Sequence, residues 1–276
     1  MEPLYAVLLG IIQGLTEFLP VSSSGHLVLF QHLFGFQEQE LFFDICLHVG
    51  TLVAILFVFY REIAALITTL FRLPALIKAA GGPKALVREN PEVRMILLIV
   101  VGTIPTGILG VLFHGIADQL FASPRLVGVM LMVTGCLLWL TRTKRAAGRT
   151  LDRVGLKDAL LIGLVQGLAI IPGVSRSGST IAISVLIGVD RELAGRFSFL
   201  LVIPAILGAL VMSLEPGIIE KSSVSAGSVL AGTAFAAVVG YFSLKILLHM
   251  VKTARLSVFS PYCWAIGGLA LIISFF

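Results

Sequence analysis

The sequence predicts an all-α polytopic membrane protein, with six transmembrane helices plus two re-entrant helix–loop–helix hairpins arranged as an inverted repeat. Three observations carry this. Apolar residues make up 58% of the 276 residues and charged residues only 13%, with a mean hydropathy of +1.04. Ordinary soluble domains carry roughly 25% charge and 45–50% apolar residues. Six apolar runs are long enough to cross a bilayer, and two further runs break at Pro/Gly/Ser loops that match each other. The same composition excludes disorder. The 28 Gly lack a period of three, and Cys46, Cys136 and Cys263 lie in apolar runs without C-x-x-C spacing, so they read as buried thiols.

In chain order, the N-terminal Met-Glu-Pro-Leu-Tyr lacks a basic region, so no cleavable signal peptide is expected. The spans are 41–60, 95–113, 126–140, 197–213, 224–248 and 261–276, the third short enough to extend toward Ser123. The first broken run is 4–19, followed by Pro20-Val21-Ser22-Ser23-Ser24-Gly25-His26 and a short apolar piece ending near Phe36. The second is 159–171, followed by a loop over 172–180 and a piece ending near Val189. Irregular backbone at membrane depth is tolerated only where it is buried in protein or lines a wet cavity.

The two broken runs are copies. Shifted by 153 positions, Gln13-Gly14-Leu15 falls on Gln166-Gly167-Leu168, Val21-Ser22 on Val174-Ser175, and Ser24-Gly25 on Ser177-Gly178, all without a gap. The chain therefore reads as one membrane-embedded domain, 1–276, with repeats of about 1–140 and 158–276.

Charge placement decides whether each broken run crosses. If each is a hairpin, the basic residues of 61–94 and 142–157 share a face with Arg191, Arg196, Lys245, Lys252 and Arg255. Only Arg125 and Lys221 then fall on the other face, and Arg176 lies inside the second loop. If each run crossed once, the basic residues would divide between both faces, which the positive-inside rule disfavours. Three crossings separate the hairpins, so they enter from opposite faces and both termini lie outside. Such repeats bring their broken helices together near the midplane, where a site is expected. The 61–94 segment, with Leu66, Ile67, Leu70 and Phe71 between basic residues, is expected to lie along the inner membrane surface.

An ionisable group within an apolar segment costs at least ~2.5–3.5 kcal/mol, so each one asks for a reason. Glu17 and Gln13 are four apart and share a helix face pointing into the first loop. Ser22, Ser23, Ser24 and His26 add hydroxyls and an imidazole; the second loop adds Arg176 among Ser175, Ser177, Ser179 and Thr180 at a helix start. Guanidinium, hydroxyls and free N–H groups suit a phosphate. The plainer readings are helix-capping serines, a packed His26, and an Arg176 that merely neutralises Glu17. The loops are not interchangeable: Glu17 is matched by Ile170 and Ser23 by Arg176, so one offers an acid/base or metal ligand and the other an anion clamp. That is the equipment of phosphoryl transfer. His32, His48, His114 and His249 read as interfacial or packing residues.

Gln13-x-x-x-Glu17, Pro20-Val21-Ser22-Ser23-Ser24-Gly25-His26 and Pro172-Gly173-x-Ser175-Arg176-Ser177-x-x-Thr180 together resemble the paired signatures of the bacterial undecaprenyl pyrophosphate phosphatase family linked to bacitracin resistance. Length, order and spacing agree across essentially the whole chain. That family's first motif is (Glu/Gln)-x-x-x-Glu, and this chain has the Gln form. The resemblance implies hydrolysis of undecaprenyl diphosphate to the monophosphate, recycling a lipid carrier for peptidoglycan synthesis. It also implies a divalent cation, Mg2+ or Ca2+, and a multi-pass protein of the bacterial inner membrane whose site faces the periplasm. Glu17 would be the acidic metal ligand, with substrate oxygens and water completing the shell. Arg176 would hold the transferred phosphate, and Gln13, Ser22, Ser24, Gly25, Gly173, Ser175, Ser177 and Thr180 would line the substrate. The nucleophile is Ser23, His26 or water. The partners are a polyprenyl diphosphate and membrane lipids, not nucleic acid; a homodimer is left open. Ser24-Gly25-His26 also resembles a fragment of the other membrane phosphatase class, but Ser175-Arg176 has no following His at the required distance. The competing functions are a transporter or flippase for an anionic lipid or solute, which inverted repeats with broken helices also serve, and a structural assembly subunit.

Overall fold

An apolar run in a bilayer must satisfy its own backbone hydrogen bonds, so helices are what these runs form. The computed structural model describes residues 3–33, 41–143, 148–213 and 224–274. In order they form α1 (Pro3–Phe18), α2 (Ser23–Leu33), α3 (Leu41–Val58), α4 (Tyr60–Ala79), α5 (Pro83–Glu89), α6 (Pro91–His114), α7 (Ala117–Phe121) and α8 (Pro124–Leu140). Then follow α9 (Leu156–Leu168), α10 (Arg176–Leu186), α11 (Arg191–Ser213), α12 (Ala226–Lys252) and α13 (Ser260–Ile273). The protein is all-α and polytopic. Among the described residues, five helical stretches are long and apolar enough to cross a bilayer: α6, α8, α11, α12 and the unit Leu256–Ile273. The pair α3 and α4, bent by 83°, brings the number to six if it is counted as one span.

Local chemistry sets the ends. α8 begins where the sequence places it, because Pro124 occupies the first turn and the Ser123 side chain accepts from the Leu126 N–H. At the bend, α4 swings away with no buried residue; Ile67, Leu70 and Phe71 are exposed, while Ile63 and Leu66 pack on the core. Of the cysteines, Cys263 is buried, Cys46 is half-buried and Cys136 is exposed. The reading of three buried thiols is corrected for Cys136, since an outward position on a spanning helix is itself apolar. The expected end of the first hairpin near Phe36 lies outside the described residues, as do Lys144, Arg145, Lys221, Phe276 and the His32 side chain.

The close helix contacts come in matched pairs. A Cβ at Gly10 of α1 would strike the Gly232 carbonyl of α12, and a Cβ at Gly163 of α9 would strike the Gly102 carbonyl of α6. Gly10 and Gly163 are equivalent under the 153-residue shift. α8 and α13 meet face to face: a Cβ at Gly128 would lie 2.9 Å from the Gly267 oxygen, and one at Gly267 2.7 Å from the Gly128 oxygen. In a bilayer helix association depends on dispersion and close backbone approach, so small residues at these crossings hold the bundle together. Each broken segment thus packs against a helix from the other half of the chain.

At the base of the second broken segment, Arg149 grips Asp158 through two hydrogen bonds of 2.9 and 2.8 Å. Arg94 donates to the carbonyls of Leu151 and Val154 at 2.7 and 2.9 Å. These contacts fix the connection into α9, and hence the loop that carries Arg176.

Candidate active site

The α1–α2 and α9–α10 loops are braced against each other. Ser22 holds a positive φ of 71°, a conformation that costs a non-glycine residue about 1–3 kcal/mol. Its Oγ accepts from the Gly25 N–H at 3.3 Å and, across the loops, from the Gly173 N–H at 3.1 Å. Ser177 Oγ donates back to the Phe18 carbonyl at 3.0 Å. Glycines allow the approach: a Cβ at Gly25 would lie 3.2 Å from Gly173 Cα, and one at Gly178 2.9 Å from Pro20 Cβ. Gly173 itself turns at φ 94°, where its lack of a side chain matters.

This bracing brings four side chains together around one carboxylate. Glu17, in the last turn of α1, is 8% exposed. Its Oε1 accepts from Arg176 Nη2 at 2.5 Å, and its Oε2 accepts from Ser23 Oγ at 2.6 Å and from Gln13 Nε2 at 3.2 Å. His48 of α3 stands opposite, with Nε2 3.8 Å from Oε2. Arg176 uses only half of its fork here. Its Nη1 is buried with no hydrogen-bond partner, as is Oε1 of the fully buried Gln13. Such orphans are rare in folded proteins, and each asks for an explanation.

The remaining motif residues are engaged elsewhere. His26 is buried, with Nδ1 donating to the Ser22 carbonyl at 2.8 Å, so Nε2 accepts from the Tyr262 hydroxyl at 2.8 Å. Its ring also stacks on Tyr262. Ser175 caps α10 by accepting from the Gly178 N–H at 3.1 Å. Thr180 Oγ1 donates to the Arg176 carbonyl at 2.8 Å and shares a 2.5 Å contact with Ser198 Oγ. Ser24 is half-buried, 3.4 Å from Ser22 Oγ. Ser22, Ser175, Ser177 and Thr180 therefore stitch the loops and helices together, while Ser23, Glu17, Arg176 and Gln13 face one another.

His48 and Tyr262 are what the sequence reading missed. The view of His48 as a packing or interfacial residue is corrected by its position beside Glu17. An imidazole inside a span, like an intramembrane carboxylate, is the signal that could have found it. Tyr262 is 236 positions from His26 and gave no local signal.

Fold and site together define a polytopic membrane protein with a buried cluster of Glu17, Arg176, Ser23 and Gln13 where its two broken helical segments meet. The chain belongs to the Bacitracin resistance protein BacA family, whose family model matches residues 6–269. The undecaprenyl-diphosphatase of Desulfatibacillum aliphaticivorans is 51% identical over the whole of both chains. That of Desulfosudis oleivorans is 49% identical over 99% of each, and that of Halothermothrix orenii 42% identical over 99% of each.

Proposed function

We propose that this chain hydrolyses undecaprenyl diphosphate to undecaprenyl phosphate and inorganic phosphate, recycling the lipid carrier of cell-wall synthesis and giving bacitracin resistance. Family membership and the named relatives support the substrate. The observation in this chain that carries the chemistry is the half-used fork of Arg176, whose Nη1 is buried and unpartnered beside the Ser23–Glu17 hydrogen bond. A guanidinium so placed can donate to a phosphoryl oxygen without giving up Glu17.

Of the candidate nucleophiles, Ser23 is the one whose hydroxyl already donates to a carboxylate. Ser23 Oγ attacks the terminal phosphorus and passes its proton to the Glu17 carboxylate. The bond from that phosphorus to the bridging oxygen breaks, and undecaprenyl phosphate leaves with the electron pair and takes the proton from Glu17. Glu17 then accepts a proton from water as the water attacks the phosphoserine, and it returns that proton to Ser23 as phosphate leaves. Arg176 stabilises the charge on the equatorial oxygens in both steps. His26, held at both ring nitrogens, orders the loop that presents Ser23.

A divalent cation, Mg2+ or Ca2+, suits the donors present. Such ions are bound through one or two carboxylates together with substrate phosphate oxygens. Glu17 supplies the carboxylate, and the orphaned Gln13 Oε1 supplies a neutral oxygen on the amide that touches it. Among the described residues no group of three His, Cys, Asp or Glu side chains converges, so most of the shell would be phosphate oxygens and water. When bound, the ion would neutralise the diphosphate and polarise its phosphoryl oxygens.

The test is phosphate release from undecaprenyl diphosphate by the purified protein, with and without chelator. Release that stops on chelation and returns with Mg2+ or Ca2+ is the expected result. Release that ignores the chelator removes the cation, and binding without any release removes the phosphatase in favour of a transporter.

The orientation follows from the hairpin reading, which the matched glycine pairs and the one-sided Lys/Arg distribution support. Both broken segments are re-entrant and related as inverted repeats, the termini and the site face the periplasm, and the membrane is the bacterial inner one. Reporter tags at either terminus should be exposed on the periplasmic side, and one within 142–157 on the cytoplasmic side. Termini on opposite faces would rule out paired hairpins.

A further inference from the structure

The geometry points to His48 as a protein ligand of the divalent cation, which is then held by a mixed nitrogen–oxygen set of Glu17, His48 and Gln13. The inference rests on the cation of the proposed function and says which groups of this chain hold it.

The His48–Glu17 separation is the first argument. Nε2 and Oε2 are 3.8 Å apart, beyond hydrogen-bond range. Two donors of one cation, each about 2.0–2.4 Å from it, stand roughly 3–4.5 Å apart. The ring is set for that task, because Nδ1 donates to the Asp44 carbonyl at 2.8 Å. A backbone acceptor on one nitrogen fixes the tautomer and leaves the lone pair on the other, the usual arrangement of a metal-binding histidine. His48 is also not fully enclosed by protein, its side chain 36% exposed, which leaves room for a ligand shared with substrate.

The second argument is Gln13 Oε1, fully buried and unpartnered on a side chain that already touches Glu17 Oε2. The third is internal to the chain. Under the 153-residue shift Gln13, Glu17 and His48 fall on Gln166, Ile170 and Leu201. Gln166 likewise keeps an unpartnered Oε1, and its Nε2 donates to the Leu201 carbonyl at 3.2 Å. The second half thus keeps the amide and replaces carboxylate and imidazole together by apolar side chains. Where this chain has Gln13 in place of a second carboxylate, His48 supplies the further donor, and Mn2+, which like Mg2+ takes oxygen ligands and also accepts an imidazole, is a suitable probe of the site.

The test uses Mn2+ as probe on the full-length protein in detergent, with binding measured by electron paramagnetic resonance and the bound ion examined for nitrogen-14 modulation. Wild-type protein should bind Mn2+ in a Glu17-dependent way and show one directly coordinated nitrogen. His48→Ala should abolish that nitrogen signal and weaken Mn2+ binding about tenfold or more, the scale on which even the outer partners of ligands act. His48→Gln offers an oxygen in place of the nitrogen and should recover part of the affinity without the signal. Glu17-dependent Mn2+ binding with no coordinated nitrogen, or a signal and affinity unchanged in His48→Ala, overturns the inference and leaves the cation at Glu17 standing. Absence of any Glu17-dependent Mn2+ binding in the wild type overturns both.

Discussion

Arg176→Ala and Arg176→Lys are both expected to lower kcat by about 10²–10³, the usual loss when a donor to transition-state charge is removed, while the protein still inserts and folds. The lysine variant keeps a positive charge but has no planar fork, so it cannot hold Glu17 and a phosphoryl oxygen as Arg176 can. Folding survives because Glu17 retains Ser23 Oγ at 2.6 Å and Gln13 Nε2 at 3.2 Å after the guanidinium is gone. The rival account makes Arg176 a structural counter-ion. Removing one partner of a buried ion pair costs about 3–5 kcal/mol, because the other is left unpaired. On that account Arg176→Ala together with Glu17→Ala would melt higher than either single variant, and the Arg176 variants would keep turnover. Turnover and melting temperature of these four variants decide between the accounts; turnover near wild type in Arg176→Ala ends the clamp.

Neighbouring serines should separate into two kinds of effect. Ser23→Ala is expected to lower kcat by roughly three orders of magnitude or more, as loss of a nucleophile does, with little change in melting. Ser22→Ala should instead lower the melting temperature. It strips the acceptor from the N–H groups of Gly25 and Gly173, bonded at 3.3 and 3.1 Å. Each buried donor left unpaired costs about 1–3 kcal/mol. Equal stability losses with equal activity losses in both variants would mean that the two hydroxyls share one structural task.

What could be read before folding was whatever the bilayer penalises. Apolar run length marked α6, α8, α11 and α12, and the shortness of the third run pointed back toward Ser123, the residue before α8. Glu17 and Arg176 stood out because a charge in an apolar segment needs a purpose, and the repeat showed that their matched positions differ in kind. The division of labour among the serines was not legible, since Ser22, Ser23 and Ser24 are the same residue in a row. Backbone geometry alone turns Ser22 toward Gly173 and Ser23 toward Glu17. His26 was grouped with the reacting residues because it sits in the motif, but its partner is Tyr262 of α13. His48 was set aside because it lies 31 positions beyond Glu17 in a span, and only the packing of α3 beside α1 brings them together. The bend of 83° after α3 had no sharp sequence mark either, no Pro or Gly standing between Val58 and Tyr60.

The claim that Ser23 is phosphorylated during turnover is tested most directly by the stereochemical course at the terminal phosphorus. The substrate is undecaprenyl diphosphate carrying a chiral, isotopically labelled terminal thiophosphate, and the configuration of the released thiophosphate is read. Two in-line displacements, first by Ser23 Oγ and then by water, predict net retention. Net inversion would mean a single attack by water on the lipid diphosphate, and would contradict the account.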